Sequence, residues 1–197
     1  MAALPDLVLF AKYPLPGYAK TRLIPALGAQ GAANVHRYLA RRTVDTLLQS
    51  GAPVEVRYAG TDETAFRSWL GDGATFAKQV EGGLTERLID AGRDHGHVFL
   101  GADTPDLQVA HVREAIAALE THDIVIGPAE DGGYYLIGMH QARPELLHNM
   151  PWSTAEVTPE TLRRCKDLGL SVALLPVLAD CDRPEDLQRW PELALLA

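Results

Sequence analysis

The chain has 197 residues, 47% of them hydrophobic and 22% charged, with a formal net charge of -8 and a pI near 5.3. That length suits a single α/β domain over residues 1–197 with both faces of its sheet covered. The acidity argues against DNA or RNA as a partner, and the lack of a long apolar run or signal-like start argues against a membrane, so a cytoplasmic protein is expected with its oligomeric state left open.

The first element is a buried strand read at residues 6–11 on the apolar run Leu7-Val-Leu-Phe-Ala11, followed by Lys12-Tyr-Pro-Leu-Pro-Gly17-Tyr-Ala-Lys20-Thr-Arg22. From Leu7 through Val44 there are six basic side chains and no Asp or Glu, while the remainder holds 12 Lys and Arg against 26 Asp and Glu. Lys12, Lys20 and Arg22 therefore form an anion-binding candidate at the end of the first strand, where open α/β sheets bind ligands. Arg37, Arg41 and Arg42 fall in the helical pattern at 31–50 and read as a solvated basic face.

Beyond Pro53, strand patterns at 54–59, 75–77, 98–102, 124–127, 134–138 and 172–175 are mostly separated by helical patterns at 63–70, 84–95, 109–120 and 159–168. Strand and helix alternate, which predicts βαβ units in a largely parallel sheet. Only Glu130-Asp131-Gly132-Gly133 separates two of the strands, too short for a helical crossover, so an antiparallel strand is expected and the sheet is mixed. Thr158-Pro159 reads as an N-cap followed by the first helical residue. Cys165 and Cys181 share no CxxC spacing and are expected to be reduced.

Three loops carry carboxylates. Asp103 follows the strand at 98–102, and Thr104-Pro105 forces an abrupt exit there, leaving Asp103 at the rim as a metal acid. Mg²⁺ uses only one or two protein carboxylates beside substrate phosphates, so a sparse site is sufficient. Near the C-terminus, alternation directs Asp180 and Asp182 to one side, while Asp186 falls on a helix begun by Pro184; turn-shaping and metal roles both suit Asp182. In Asp131-Gly132-Gly133 the glycines allow close ligand approach and the carboxylate can accept a hydroxyl proton, though the same pattern serves an Asp-Gly hairpin. Trp152 suits an aromatic cover over a sugar or a structural position, and Glu86-Arg87 suits a donor-pocket frame or surface ion pairs. The seven histidines give no convincing metal pair.

Taken together, Phe10-Ala-Lys12 through Arg22-Leu, Gly101-Ala-Asp103-Thr-Pro105-Asp-Leu, Gly127-Pro-Ala-Glu-Asp131-Gly-Gly-Tyr-Tyr-Leu-Ile-Gly138, Trp152-Ser-Thr and Asp180-Cys-Asp182-Arg-Pro-Glu-Asp-Leu187 resemble the small bacterial transferase family once known only as a domain of unknown function. That family is often labelled an arsenosugar-biosynthesis-type glycosyltransferase and is related to the nucleotide-diphospho-sugar transferase superfamily. The resemblance implies a single-domain, Rossmann-like GT-A fold with a mixed, mostly parallel central sheet flanked by helices. By position it carries Lys12, Gly17, Lys20 and Arg22 onto the nucleotide loop, Asp103 onto the metal acid and Asp182 onto the second acid, with Mg²⁺ or Mn²⁺ as the cation. Thr85 stands where the family has Gly, and Arg183 where it has Thr.

The function expected is transfer of a sugar from a nucleoside-diphosphate donor to a small acceptor. Asp103, Asp131 and Lys20 are the candidate catalytic residues, and Lys12, Gly17, Arg22, Glu86, Arg87, Gly132, Gly133 and Trp152 the candidate binding residues. Two alternatives stand beside it. One is nucleotidyl transfer from a nucleoside triphosphate to a phosphorylated small molecule, and the other is a non-catalytic nucleotide-binding module.

Overall fold

The structure, a computed structural model, describes residues 3–197. Seven strands form one sheet in the order β3-β2-β1-β4-β6-β5-β7, with β1 Asp6–Lys12, β2 Val54–Ala59, β3 Thr75–Lys78, β4 His97–Leu100, β5 Ile124–Pro128, β6 Tyr134–Met139 and β7 Val172–Leu174. Only β6 runs against its neighbours, pairing antiparallel with β4 and β5, so the sheet is mixed and mostly parallel as the short 130–133 connection requires. Among the described residues no helix is long and apolar enough to cross a membrane.

Side-chain alternation sorts the core into two layers. Leu7, Leu9, Val56, Val98, Leu100 and Val125 face one side, where α1 (Ile24–Leu48), α2 (Glu63–Leu70) and α4 (Val109–Ala118) cover them. Val8, Phe99, Ile124, Ile126, Ile137 and Met139 face the other, beneath α3 (Leu84–Ala91), α5 (Pro144–Leu147) and α6 (Val157–Asp167). A third cluster packs Leu23, Val35 and Leu39 against Ala179, Cys181, Leu187, Trp190 and Leu193, fastening the C-terminal segment and α7 (Pro191–Ala194) onto α1. Cys165 and Cys181 are buried free thiols.

Several element ends differ from expectation for identifiable reasons. The expected helix at 31–50 begins earlier, at Ile24, but is broken at Gly28, whose φ of +69° only glycine adopts without cost. The helix at 84–95 stops at Ala91, because Gly92 leaves helical backbone angles. Thr158 is not an N-cap. α6 starts one residue before it, and its hydroxyl instead donates to the Gly133 carbonyl at 2.6 Å, fastening the 131–133 turn to the helix. In the 3₁₀ turn that begins after Arg183, one Asp186 oxygen accepts from the backbone N–H groups of Asp182 and Arg183 and ties the turn to the preceding segment.

Candidate functional site

The sheet order turns back on either side of β1 and β4, and their carboxyl ends open the crevice in which doubly wound sheets place ligands. From β1 the chain passes Gly17 (φ +83°) and Lys20, a non-glycine residue held left-handed at φ 48°, before the 3₁₀ turn Thr21–Leu23. Backbone in this region costs of order 1–3 kcal/mol and is kept only where the surroundings enforce it. Here the enforcement is an ion pair. The Lys20 ammonium, with its side chain 2% exposed, lies 2.6 Å from Asp103 Oδ1 and 2.8 Å from Asp182 Oδ1, and donates to the Cys181 carbonyl at 2.7 Å.

Asp103 is brought there by the end of β4 and Asp182 by the C-terminal segment, held in register by the Cys181 N–H donating to the Asp103 carbonyl. Burial disfavours charge on Lys20, but the two carboxylates outweigh it and raise its pKa. The position of Asp103 in the cleft likewise favours its neutral form, yet the Lys20 ammonium beside it wins and lowers its pKa. Arg22 adds a looser contact, 3.6 Å from Asp182 Oδ2.

Two cavities meet at this triad. The first, about 410 Å³, is walled by Lys12, Tyr18, Lys20, Arg22, His36 and Asp103. The second, about 440 Å³, is walled by Asp131, Ser153, Thr154, Asp180, Arg183 and Arg189, among others, and shares Arg22 and Asp182 with the first. Asp131 Oδ1 accepts from the Gly133 N–H at 2.9 Å, which shapes the turn and leaves Oδ2 available. Gly132 (φ +88°) lies against the Ala155 backbone, so the glycine pair also serves packing between the turn and the 153–155 wall.

Two residues without a site assignment from sequence also belong here. Asp180 is pushed up to about 6, first by burial and then by the charges of Asp103, Asp182 and Asp131, against the opposing hydrogen bond from the Thr104 hydroxyl. Its alternation with Asp182 was the available signal. His36 lies on α1, reaches the Lys12 carbonyl at 2.9 Å and lines the first cavity. Burial lowers its pKa, so the neutral ring donates that hydrogen bond. Its spacing within an alanine-rich helix gave no signal.

Other expected site residues lie apart from the cavity walls. Gly17 shapes the loop without lining either cavity, and Glu86 caps α3 by accepting from the Gly83 N–H at 2.7 Å. Arg87 lines neither cavity; from this helix Leu84 does. Trp152 packs against the second core layer, edge-on to Tyr134, and its indole N–H donates to Thr85 Oγ1 at 2.8 Å. Thr85 is thus the anchor of this tryptophan, and Ser153 and Thr154 reach the cavity in its place.

Among the described residues no group of three or more His, Cys, Asp or Glu side chains forms a cation cage. Two carboxylates converging on one point still match the sparse oxygen donor set that Mg²⁺ or Mn²⁺ uses when substrate phosphates complete its shell. The chemistry of this donor set is compatible with a divalent cation bound together with a nucleotide.

No curated protein matches the sequence. The chain is similar over 98% of both lengths, with 29% identity and a TM-score of 0.85, to the crystal structure of a candidate nucleotide-diphospho-sugar transferase from Desulfovibrio desulfuricans G20. Glucosyl-3-phosphoglycerate synthase from Mycobacterium tuberculosis, solved with Mn²⁺ and UDP, shares 16% identity over 98% of this chain and 77% of its own, with a TM-score of 0.60. The inositol-1-phosphate CTP transferase from T. maritima shares 15% over 99% and 96%, with a TM-score of 0.61. These last two likenesses show the GT-A-like fold common to glycosyl- and nucleotidyltransferases. Residues 43–154, more than half of the chain, match the family described as "Uncharacterized protein conserved in bacteria (DUF2064)", and the chain belongs to that family.

Proposed function

We propose that the protein transfers a sugar from a nucleoside-diphosphate donor to an uncharged, hydroxyl-bearing small acceptor. The observation that carries this reading is the pair of cavities meeting at Arg22 and Asp182 with opposite character. The first is lined by Lys12, Lys20 and Arg22 against Asp103 and Asp182, three cations to two acids. The second is lined by Glu130, Asp131, Asp180, Asp182 and Asp186 against three arginines, of which Arg189 is engaged by Glu130 at 2.9 Å and Arg22 contacts Asp182. A diphosphate suits the first, whereas a phosphorylated acceptor in the second would face uncompensated carboxylates. Nucleotidyl transfer to a substrate phosphate needs cationic partners in both cavities, one set for the donor triphosphate and one for the acceptor phosphate.

In this reading Lys12, Lys20 and Arg22 stabilise charge developing on the leaving diphosphate, a task at which preorganised cations in a partly desolvated cleft are effective. Asp103 and Asp182 would hold Mg²⁺ or Mn²⁺, which when bound supplies Lewis-acid neutralisation of the diphosphate. Asp131 Oδ2 takes the proton of the acceptor hydroxyl, or orients that hydroxyl, while Ser153 and Thr154 offer hydrogen-bonding partners for a polyol.

The test is identification of the leaving group. With Mn²⁺ or Mg²⁺ present, nucleoside diphosphate released from one of UDP-, GDP- or dTDP-sugars, faster with glycerol or a free sugar added, is the expected result. Pyrophosphate released from a nucleoside triphosphate in the presence of a sugar phosphate would instead establish nucleotidyl transfer.

A further inference from the structure

We propose that Lys20 is a built-in placeholder for the divalent cation, which must leave the Asp103–Asp182 pair before the cation can bind. The inference rests on the nucleotide-and-metal reading of this site. Its basis is the position of one nitrogen. Lys20 Nζ stands 2.6 and 2.8 Å from one oxygen of each acid and takes the Cys181 carbonyl as a third acceptor, so it has the oxygen shell of a small cation. Mg²⁺ ligates carboxylates at about 2.0–2.1 Å, so a divalent cation held by Asp103 and Asp182 would compete with the ammonium for the same carboxylates. The two cations cannot lie beside each other at contact distance without strong repulsion.

The lysine has somewhere to go. Its side chain already borders the first cavity beside Lys12 and Arg22, and the backbone leading to it takes positive φ at Gly17 (+83°) and at Lys20 itself (48°). A diphosphate in that cavity offers the ammonium a new anionic partner and leaves Asp103 and Asp182 facing each other, a pair that then requires a cation. Diphosphate and metal therefore bind cooperatively through an exchange of partners by Lys20, beyond any direct metal–phosphate contact. Coupling of this kind is reciprocal by thermodynamic necessity. A fixed charge at Lys20 also keeps two partly exposed acids together in the ligand-free protein without a metal.

The experiment is a titration of Mn²⁺ alone at pH 8, followed by the electron paramagnetic resonance signal of the free ion, on wild type, Lys20→Met and, as a control for net charge, Arg22→Met. The expected result is an Mn²⁺ Kd at least tenfold tighter in Lys20→Met than in wild type and Arg22→Met, together with a larger rise in Tm on adding Mn²⁺. A folded Lys20→Met that binds Mn²⁺ no tighter than wild type would overturn the placeholder role while leaving the metal site standing. If neither protein binds Mn²⁺ even with pyrophosphate present, the metal reading itself fails and the inference with it. Should Lys20→Met not fold, wild type decides the matter through the ¹⁵N–¹H resonance of the Lys20 ammonium. That resonance should move or vanish when Mg²⁺ and pyrophosphate are added together, and an unchanged resonance at saturation refutes the exchange.

Discussion

Gly132→Ala should destabilise the protein more than any other positive-φ glycine replacement of equal chemistry, and the reason is local to the candidate site. An L-residue at φ +88° carries a left-handed penalty of about 1–2 kcal/mol. The new Cβ would also lie 2.5 Å from the Ala155 Cα and 2.7 Å from its carbonyl carbon, backbone atoms that cannot rotate away. Forcing volume into packed structure typically costs a further ~1–3 kcal/mol. The segment that must move is the 153–155 wall of the second cavity, and the Thr158 bonds to the Gly132 and Gly133 carbonyls, at 2.9 and 2.6 Å, resist its separation from the turn. Gly169→Ala is the matched control. It too has positive φ, at +67°, but nothing lies within 4 Å of the added methyl group. Both variants gain the same unfolded-state restriction, so it cancels between them. Urea unfolding should place Gly132→Ala about 1–3 kcal/mol below Gly169→Ala. Equal losses in the two variants would refute the claim that the turn is pressed against the 153–155 segment.

Two predictions concern pH. Asp180 has a folded pKa raised to about 6 above its ordinary value of 3.8, so the folded protein holds its proton more tightly and stability is lost as pH rises between those values. In chelator, Asp180→Asn should keep the Thr104 hydrogen bond and gain stability of the order of 2 kcal/mol at pH 7.5, allowing for the partial exposure of the group, with little gain at pH 4; a gain independent of pH would contradict the assigned cause. His97 is fully buried, its Nδ1 donates to the His95 carbonyl at 3.0 Å, and its Nε2 has no partner. Burial lowers its folded pKa below 6.5, so the unfolded chain binds the extra proton and stability falls as pH drops through and below 6.5. His36 contributes with the same sign, also through burial. Stability measured from pH 7.5 to 5 should fall more steeply in wild type than in His97→Asn, which retains a donor for the carbonyl, and parallel curves would remove His97 from the explanation.

The parts of the architecture readable from sequence were those with strong local causes. The apolar run at Leu7–Ala11, the four-residue link between β5 and β6 and the Asp103-Thr104-Pro105 exit each constrain the chain locally, and the sheet agrees with them. The basic loop and the acids after β4 and near the C-terminus were likewise visible, because charge at the carboxyl end of a strand has few structural uses. What escaped was decided by contacts distant in sequence. Lys20 and Asp182 are 162 residues apart, and nothing local says that the ammonium is committed to two carboxylates. His36 reaches the site through the face of α1 that the fold turns toward Lys12. Trp152 has the composition of a sugar platform but is taken inward by Thr85, 67 positions away. Glu86 could have been assigned to its helix from sequence, since a carboxylate three residues after a glycine N-cap is placed to accept the orphan N–H.

The central claim is that the Lys12–Arg22 loop and the Asp103–Asp182 pair together bind a nucleoside diphosphate with a divalent cation. Calorimetric titration of UDP, GDP and dTDP into wild type, Arg22→Ala and Asp103→Asn, each with Mn²⁺ or chelator, tests it most directly. Wild type should bind at least one diphosphate in an Mn²⁺-dependent manner, with binding weakened at least tenfold in Arg22→Ala and the Mn²⁺ dependence lost in Asp103→Asn. Binding that is equally tight in all three proteins and indifferent to chelator, or no binding of any diphosphate by wild type, would contradict it.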